Sequence, residues 1–203
     1  AKGDLLLVPV YKNNELVNVQ KITKDGTKRP LFGGDMQGVN HIIDGTVKSI
    51  AVVEGYATGI TINKLTKFKT YVAFNAGNLE TAVRQAKAEN PEANIIVFGD
   101  HDKLDIKHDR RPGEYYANKA ADPFGAKVAL PPELGDWDDY RQTHGDEDCK
   151  KAMRDALGVK PKTAGKQPVE PAIAEKPEPK IESGLNPVPQ SVPETAPKKM
   201  PAF

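Results

Sequence analysis

The sequence contains a single cysteine, Cys149, in 203 residues, and aromatic residues make up only 6% of it. One cysteine excludes internal disulfide bonds and cysteine-rich zinc sites, and it is typical of a reducing compartment. No apolar run approaches the ~18 residues that a membrane helix requires. We therefore expect a cytoplasmic protein with no signal peptide and no membrane span.

An excess of charge of one sign is also lacking. Lys and Arg together number 29 and Asp and Glu number 28, which gives a net charge of +1. This balance excludes a polybasic protein that binds nucleic acid over its whole surface, but a local phosphate site remains compatible with it. The mean hydropathy of −0.57 is low for a chain that is globular throughout.

The C-terminal segment accounts for much of this low hydropathy. Residues 160–203 hold 10 of the 17 prolines, together with seven lysines and five glutamates, and Phe203 is their only aromatic residue. Such a segment cannot bury enough apolar surface to offset the entropy of ordering it. The composition predicts a disordered, proline-rich tail or linker, and a proline-rich docking ligand is the alternative.

The first 45 residues have the pattern of β-hairpins. Apolar and alternating runs at Asp4–Tyr11 and Leu16–Ile22 are separated by the turn residues Asn13 and Asn14. Asp25-Gly26 is a second hairpin turn signal. We expect residues 1–45 to form an antiparallel β-hairpin segment packed on the core.

From residue 46 to residue 159 the pattern changes to strands that alternate with helices. Apolar runs predict buried strands at Ser49–Val53, Thr70–Phe74, Ile95–Phe98 and Lys127–Leu130. Helical spacing and end signals predict helices at Tyr56–Lys67, Leu79–Glu89, Glu114–Ala121 and Asp146–Leu157. This alternation predicts an α/β fold, with a mostly parallel sheet flanked by helices.

Acidic residues follow three of these strands. Their carboxyl ends share one edge of a parallel sheet, which is where ligands bind in such folds. Carboxylates that converge without basic partners repel one another, and a divalent cation with oxygen ligands, Mg²⁺ or Mn²⁺, relieves that repulsion. The residues concerned are Glu54, Asp100, Asp102, Asp136 and Asp139.

Two of these strand ends carry a recognisable pattern. The segment Val53–Thr58, followed by a strand that ends in Gly99–Asp102, resembles a Toprim domain, the catalytic fold of topoisomerases and bacterial-type primases. The turn Phe74–Leu79 and the ending Leu130–Pro132 with Asp136–Asp139 are similar to those of plasmid and phage primases. The resemblance covers roughly residues 3–145.

The resemblance implies roles for the acidic residues. Glu54 would be the general acid/base or a ligand of a shared metal, Asp100 and Asp102 would be Mg²⁺ ligands, and Asp136 and Asp139 would complete the acidic rim. It also implies Mg²⁺-dependent nucleotidyl or phosphoryl transfer by a primase-like replication or conjugation protein of a plasmid or phage. Single-stranded DNA and NTPs would be its substrates, and this chain would be only part of the active unit.

Basic and amide side chains are further candidates for contacts with nucleotides or nucleic acid. In the loop after the Asp pair, Asp105 and Asp109 balance the basic residues, so the sequence favours neither a binding loop nor a solvated one. The candidates are Lys28, Arg29, Asn75, Lys103, Lys107, Arg110 and Arg111.

Two alternatives to a primase-type enzyme stay open. The same acids would serve a Toprim nuclease that cuts DNA. The second alternative is a non-catalytic module that binds nucleic acid or a partner. Its tail would tether it to other replication or conjugation proteins. The sequence supplies neither a zinc-binding module nor a Walker A segment.

Overall fold

The computed structural model describes residues 5–159. The tail predicted for residues 160–203 lies outside the described residues. Among the helices described, none has the length and apolar character needed to cross a membrane.

The N-terminal part is a three-stranded antiparallel sheet, as the hairpin pattern predicts. The two-residue turn between its first two strands places Asn13 and Asn14 at φ values of 51° and 67°, a left-handed conformation that asparagine tolerates. The strands, in sheet order, are β1 (Leu5–Lys12), β2 (Glu15–Thr23) and β3 (Lys28–Pro30).

The second sheet has five strands in the order β4-β6-β5-β7-β8. β4 is antiparallel to β6, and the other neighbouring strands are parallel, so the predicted mostly parallel sheet is confirmed. These strands are β4 (His41–Ile43), β5 (Thr46–Val53), β6 (Phe68–Val72), β7 (Asn94–Phe98) and β8 (Lys127–Ala129).

Five helices flank this sheet. They are α1 (Tyr56–Thr66), α2 (Leu79–Glu89), α3 (Pro112–Ala121), α4 (Trp137–His144) and α5 (Asp146–Ala156). The sequence pattern did not predict α4. It begins within the acidic Asp136–Asp139 segment, where Asp136 accepts hydrogen bonds from the first free backbone N–H groups of the helix.

The central strand β5 is buried on both faces. Ile50 and Val52 pack into one hydrophobic cluster with residues of α2 and α3, whereas Ala51 and Val53 pack into a second cluster with residues of α1, α4 and α5. Burial on both faces explains why the strand is a continuous apolar run with no alternation. The fully buried Trp137 belongs to the second cluster, and its indole N–H donates to the carbonyl of Ala129 over 3.2 Å.

Candidate functional site

Glu54 follows the last residue of β5 and lies at the carboxyl edge of the sheet. Its backbone position is fixed from the neighbouring strand, because the Phe74 N–H donates to the Glu54 carbonyl over 2.8 Å. Burial, and then the charge of Asp102, raise the pKa of the Glu54 carboxyl, while Lys28 acts in the opposite direction. Glu54 therefore holds a proton more readily than a carboxyl group in water.

Asp100 lies next to this group, at the end of β7. Its Oδ1 atom is buried and makes no hydrogen bond within the described part of the chain. Burial raises the pKa of Asp100 to about 7, and the charges of Glu54, Asp136 and Asp102 contribute to this shift. A buried carboxylate oxygen with no donor is an unusual and costly arrangement, which a cation or a bound proton would relieve.

Asp102 is held by the start of α3. The Gly113 N–H donates to Asp102 Oδ2 over 2.7 Å, and Arg111 Nη1 donates to the Asp102 carbonyl over the same distance. A Cβ atom on Gly113 would lie 2.4 Å from the Asp100 carbonyl oxygen, so only glycine fits there. Sequence reasoning missed Gly113, although its position at the start of a helix, directly after a proline, was a usable signal.

The third acidic segment divides by role. Asp136 caps α4 through hydrogen bonds from the N–H groups of Asp138 and Asp139, and its charge still acts on Asp100. Asp139 completes the capping box, since its Oδ2 accepts from the Asp136 N–H over 3.3 Å. The geometry therefore brings Asp136 into the site and uses Asp139 to begin the helix.

Asp138 belongs to a separate structural network. Its carboxylate accepts hydrogen bonds from Thr61, Gln142 and Arg141, and it forms an ion pair with Arg141 at 3.1 Å. Although burial favours its neutral form, these partners lower the pKa of Asp138. It joins α4 to α1.

The hairpin segment contributes one basic residue to the acidic site. Lys28 Nζ lies 3.6 Å from the position that a Cβ on Gly55 would take, and its charge acts on both Glu54 and Asp100. Arg29, the next residue in β3, points to the opposite face of the sheet, because side chains alternate along a strand. The two predicted contact residues are therefore on different surfaces.

The loop after Asp102 is folded by its own acidic residue. Asp105 pairs with His108 at 2.6 Å and forms a backbone bridge with Arg110. Lys103 and Lys107 are exposed, and neither has a carboxylate within 4.0 Å among residues 5–159. Asp105 therefore shapes the loop without forming ion pairs with these two lysines.

Asn75 closes a turn. Its Oδ1 accepts from the Asn78 N–H over 3.1 Å, and its amide donates to the Met36 carbonyl. Asn78, which sequence reasoning did not select, is buried and holds the 36–38 loop through Met36 and Gly38. Both asparagines thus attach this loop to the end of β6.

The donor atoms and the charge of the site suit a hard divalent cation. Its candidate ligands are carboxylate oxygens that repel one another with Lys28 as an opposing cation, and one buried oxygen of Asp100 makes no hydrogen bond within residues 5–159. Within residues 5–159, however, no three His, Cys, Asp or Glu side chains are close enough together to hold a metal ion as they stand. The donor set fits Mg²⁺ or Mn²⁺, and the side chains would have to approach one another to bind it.

Comparison with known proteins identifies a family and several relatives with similar sequences. Residues 49–147 match the family model of the Toprim domain. Two curated relatives are DNA primases named TraC from Escherichia coli, 28% and 32% identical over 137 residues. The matches cover 64% of this chain but only 13% and 10% of the relatives, so the chain spans a small part of their length.

Solved structures with the same fold include the primase fragment of the bacteriophage T7 primase-helicase. It has a TM-score of 0.53 at 18% identity, over 72% of this chain and 61% of that one. T7 primase domains bound to an RNA/DNA hybrid and dTTP, in a complex with the lagging-strand DNA polymerase, give a TM-score of 0.52 at 17% identity. That match covers 73% of this chain and 76% of that one.

Proposed function

Residues 49–147 form a Toprim domain, and from this premise we propose that the chain is the nucleotidyl-transfer domain of a primase-like protein. The proposal depends above all on one observation: Glu54, Asp100, Asp102 and Asp136 come from distant parts of the sequence, and their charges act on one another. The TraC relatives support primer synthesis rather than another Toprim chemistry.

Each residue has a proposed task in this reaction. Asp100 and Asp102 would hold a Mg²⁺ ion, and Asp136 would add negative charge at its side. Bound Mg²⁺ would neutralise charge on the reacting phosphate oxygens. Glu54, whose pKa is raised by burial and by Asp102, would take the proton from the attacking 3′-hydroxyl. Lys28 would attract the anionic nucleotide to the same place.

The partners of this domain are also part of the proposal. Single-stranded DNA would be the template and NTPs the substrates, and because the match covers only 13% of a TraC primase, other domains would complete the active unit. We further propose that the proline-rich residues 160–203 connect the domain to other replication or conjugation proteins.

The test is to incubate the 203-residue protein with labelled NTPs, single-stranded DNA and Mg²⁺. Elongated oligonucleotides that disappear with Asp100→Asn, and persist with the exposed control Asp155→Asn, are the expected result. Shortened DNA in place of elongated products would instead identify a Toprim nuclease.

Absence of both products would count against catalysis by this chain alone. If Mg²⁺ also failed to raise the melting temperature, a non-catalytic binding module would become the better description. If Mg²⁺ raised the melting temperature but neither product formed, the domains absent from this chain would be needed for catalysis.

A further inference from the structure

A groove of about 520 Å³ runs along α3, beside the acidic site. It begins at the loop that carries Asp102 and follows one face of the helix. Its charged side chains are three cations and two carboxylates, so its net charge is +1. They are Arg110, Arg111, Lys119, Glu114 and Asp122, and Tyr115 lies among them.

Arg110 stacks on an aromatic side chain of the same groove. Its guanidinium lies 4.0 Å from the centroid of the Tyr115 ring and 5.8 Å from that of Tyr116. Within residues 5–159 no carboxylate lies within 4.0 Å of it, and its guanidinium donates no hydrogen bond. A guanidinium that is oriented by aromatic stacking, rather than by an ion pair, keeps its N–H groups available for a bidentate phosphate contact.

Arg111 connects the groove to the acidic site. Its Nη1 donates to the Asp102 carbonyl over 2.7 Å. The basic end of the groove is therefore in direct contact with a candidate metal ligand. Lys119 lies one helical turn beyond Tyr115, on the same face of α3, and it too has no carboxylate partner in the described part of the chain. The groove therefore presents Arg110 and Arg111 at the Asp102 end, Tyr115 in the middle, and Lys119 with Asp122 at the far end.

We propose that this α3 groove binds single-stranded nucleic acid and leads the strand to Asp102. Phosphates would contact Arg110 and Lys119, and a base would stack on the Tyr115–Arg110 pair. The 40% exposed Tyr115 ring favours an unpaired base, since bases in a duplex already stack on one another. This inference rests on the proposed function, because it assumes a nucleic-acid substrate.

The test is fluorescence anisotropy of a labelled 15-nucleotide oligothymidylate with the 203-residue protein in Mg²⁺, at several salt concentrations. Arg110→Gln and Lys119→Gln should each weaken binding several-fold and reduce the salt dependence by about one counterion. Tyr115→Leu should weaken binding by about fivefold or more, whereas Tyr115→Phe should retain it. Arg154→Gln, an exposed arginine on α5, is the matched control and should bind as the wild type does.

Three results would overturn the inference. The first is wild-type binding that the groove variants leave unchanged. The second is equal binding of a duplex of the same length, and the third is no binding by the wild type up to 100-fold excess protein. Lys119 is exposed and has no carboxylate partner among residues 5–159, so Lys119→Gln tests the groove even if an Arg110 or Tyr115 variant loses stability. Because the Mg²⁺ response of the melting temperature needs no oligonucleotide, it tests the acidic site independently of this groove.

Discussion

Gly113 donates its backbone N–H to Asp102 Oδ2 over 2.7 Å, and its Cα lies against the backbone of Asp100. The first turn of α3 thus contacts both members of the Asp-x-Asp pair. A free N–H at a helix start is a natural partner for a carboxylate. The helix therefore positions Asp102, whereas Asp100 Oδ1 receives no hydrogen bond from the part of the chain that the structure describes.

Gly113→Ala should destabilise the protein. Glycine to alanine within a helix normally stabilises it, but here the new Cβ would lie 2.4 Å from the Asp100 carbonyl oxygen, which backbone movement alone can relieve. We expect a loss of about 2 kcal/mol or more in urea denaturation. Gly55→Ala is the control, because its Cβ would find ordinary contacts at 3.6 Å. Equal stability of the two variants would contradict this packing.

Asp100 should make the metal-free protein less stable as pH rises. Its pKa is about 7 in the folded state and near 3.8 when unfolded, so the folded state binds more protons between these values. The contribution of Asp100 to stability is therefore greatest below about pH 4, and it decreases as the pH rises to about 7. The loss is on the order of 4 kcal/mol, and Glu54 acts in the same direction.

Urea denaturation in EDTA at pH 5 and pH 8 measures this effect. Asp100→Asn should remove most of the difference between the two pH values, whereas Asp155→Asn should retain it. A wild type that is more stable at pH 8 than at pH 5 by this measure would show that Asp100 is not the dominant group.

Lys28 and Arg29 should behave differently although they are neighbours. Lys28→Gln removes the cation that lowers the pKa values of Glu54 and Asp100, so the metal-free variant should lose stability at pH 8 more than at pH 5. The loss should be below about 1 kcal/mol, because Lys28 is exposed. Arg29→Gln should leave this pH dependence unchanged in thermal melting. If stability depended on pH in the same way in both variants, Lys28 would not reach the acidic site.

Mg²⁺ should raise the melting temperature in proportion to the logarithm of its concentration above Kd, because it binds the folded state alone. Asp102→Asn should abolish this increment, and Asp155→Asn should retain it. Asp102→Asn keeps an oxygen that can accept from Gly113, so the fold should survive the substitution. An identical Mg²⁺ response in wild type and Asp102→Asn would remove these acids from the metal site.

The strands and the site differ in how far the sequence could predict them. Four consecutive buried residues of β5, Ile50–Val53, make the central strand visible as an apolar run, and its end then locates Glu54. By contrast, α4 is short and polar, and its start is defined by the Asp136 cap rather than by apolar spacing. Asp136 and Asp139 both belong to the capping box of α4, and only the tertiary structure brings Asp136 close enough to act on Asp100.

Sequence patterns also could not predict contacts between distant segments. Lys28 reaches Glu54 and Gly113 reaches Asp102 only through tertiary structure, and a local pattern does not specify which face of β3 meets the acids. The hairpin turn at Asn13-Asn14 indicated that β1 and β2 pair. Whether Lys28 or Arg29 faces the site depends on how the three-stranded sheet is oriented relative to the acidic residues, which sequence periodicity leaves open.

The position of β5 between β6 and β7 has a consequence for how the site opens. β5 is hydrogen-bonded to β6 on one side and to β7 on the other, and Ile50–Val53 are buried, so their amide hydrogens should be among the last to exchange with solvent. Asp102 instead lies outside the sheet, between the His101–Gly135 bridge and the Gly113 and Arg111 hydrogen bonds. We expect the backbone amides of the loop that follows Asp102 to exchange earlier than those of Ile50–Val53. The Asp102 side of the site should therefore open locally more readily than the Glu54 side.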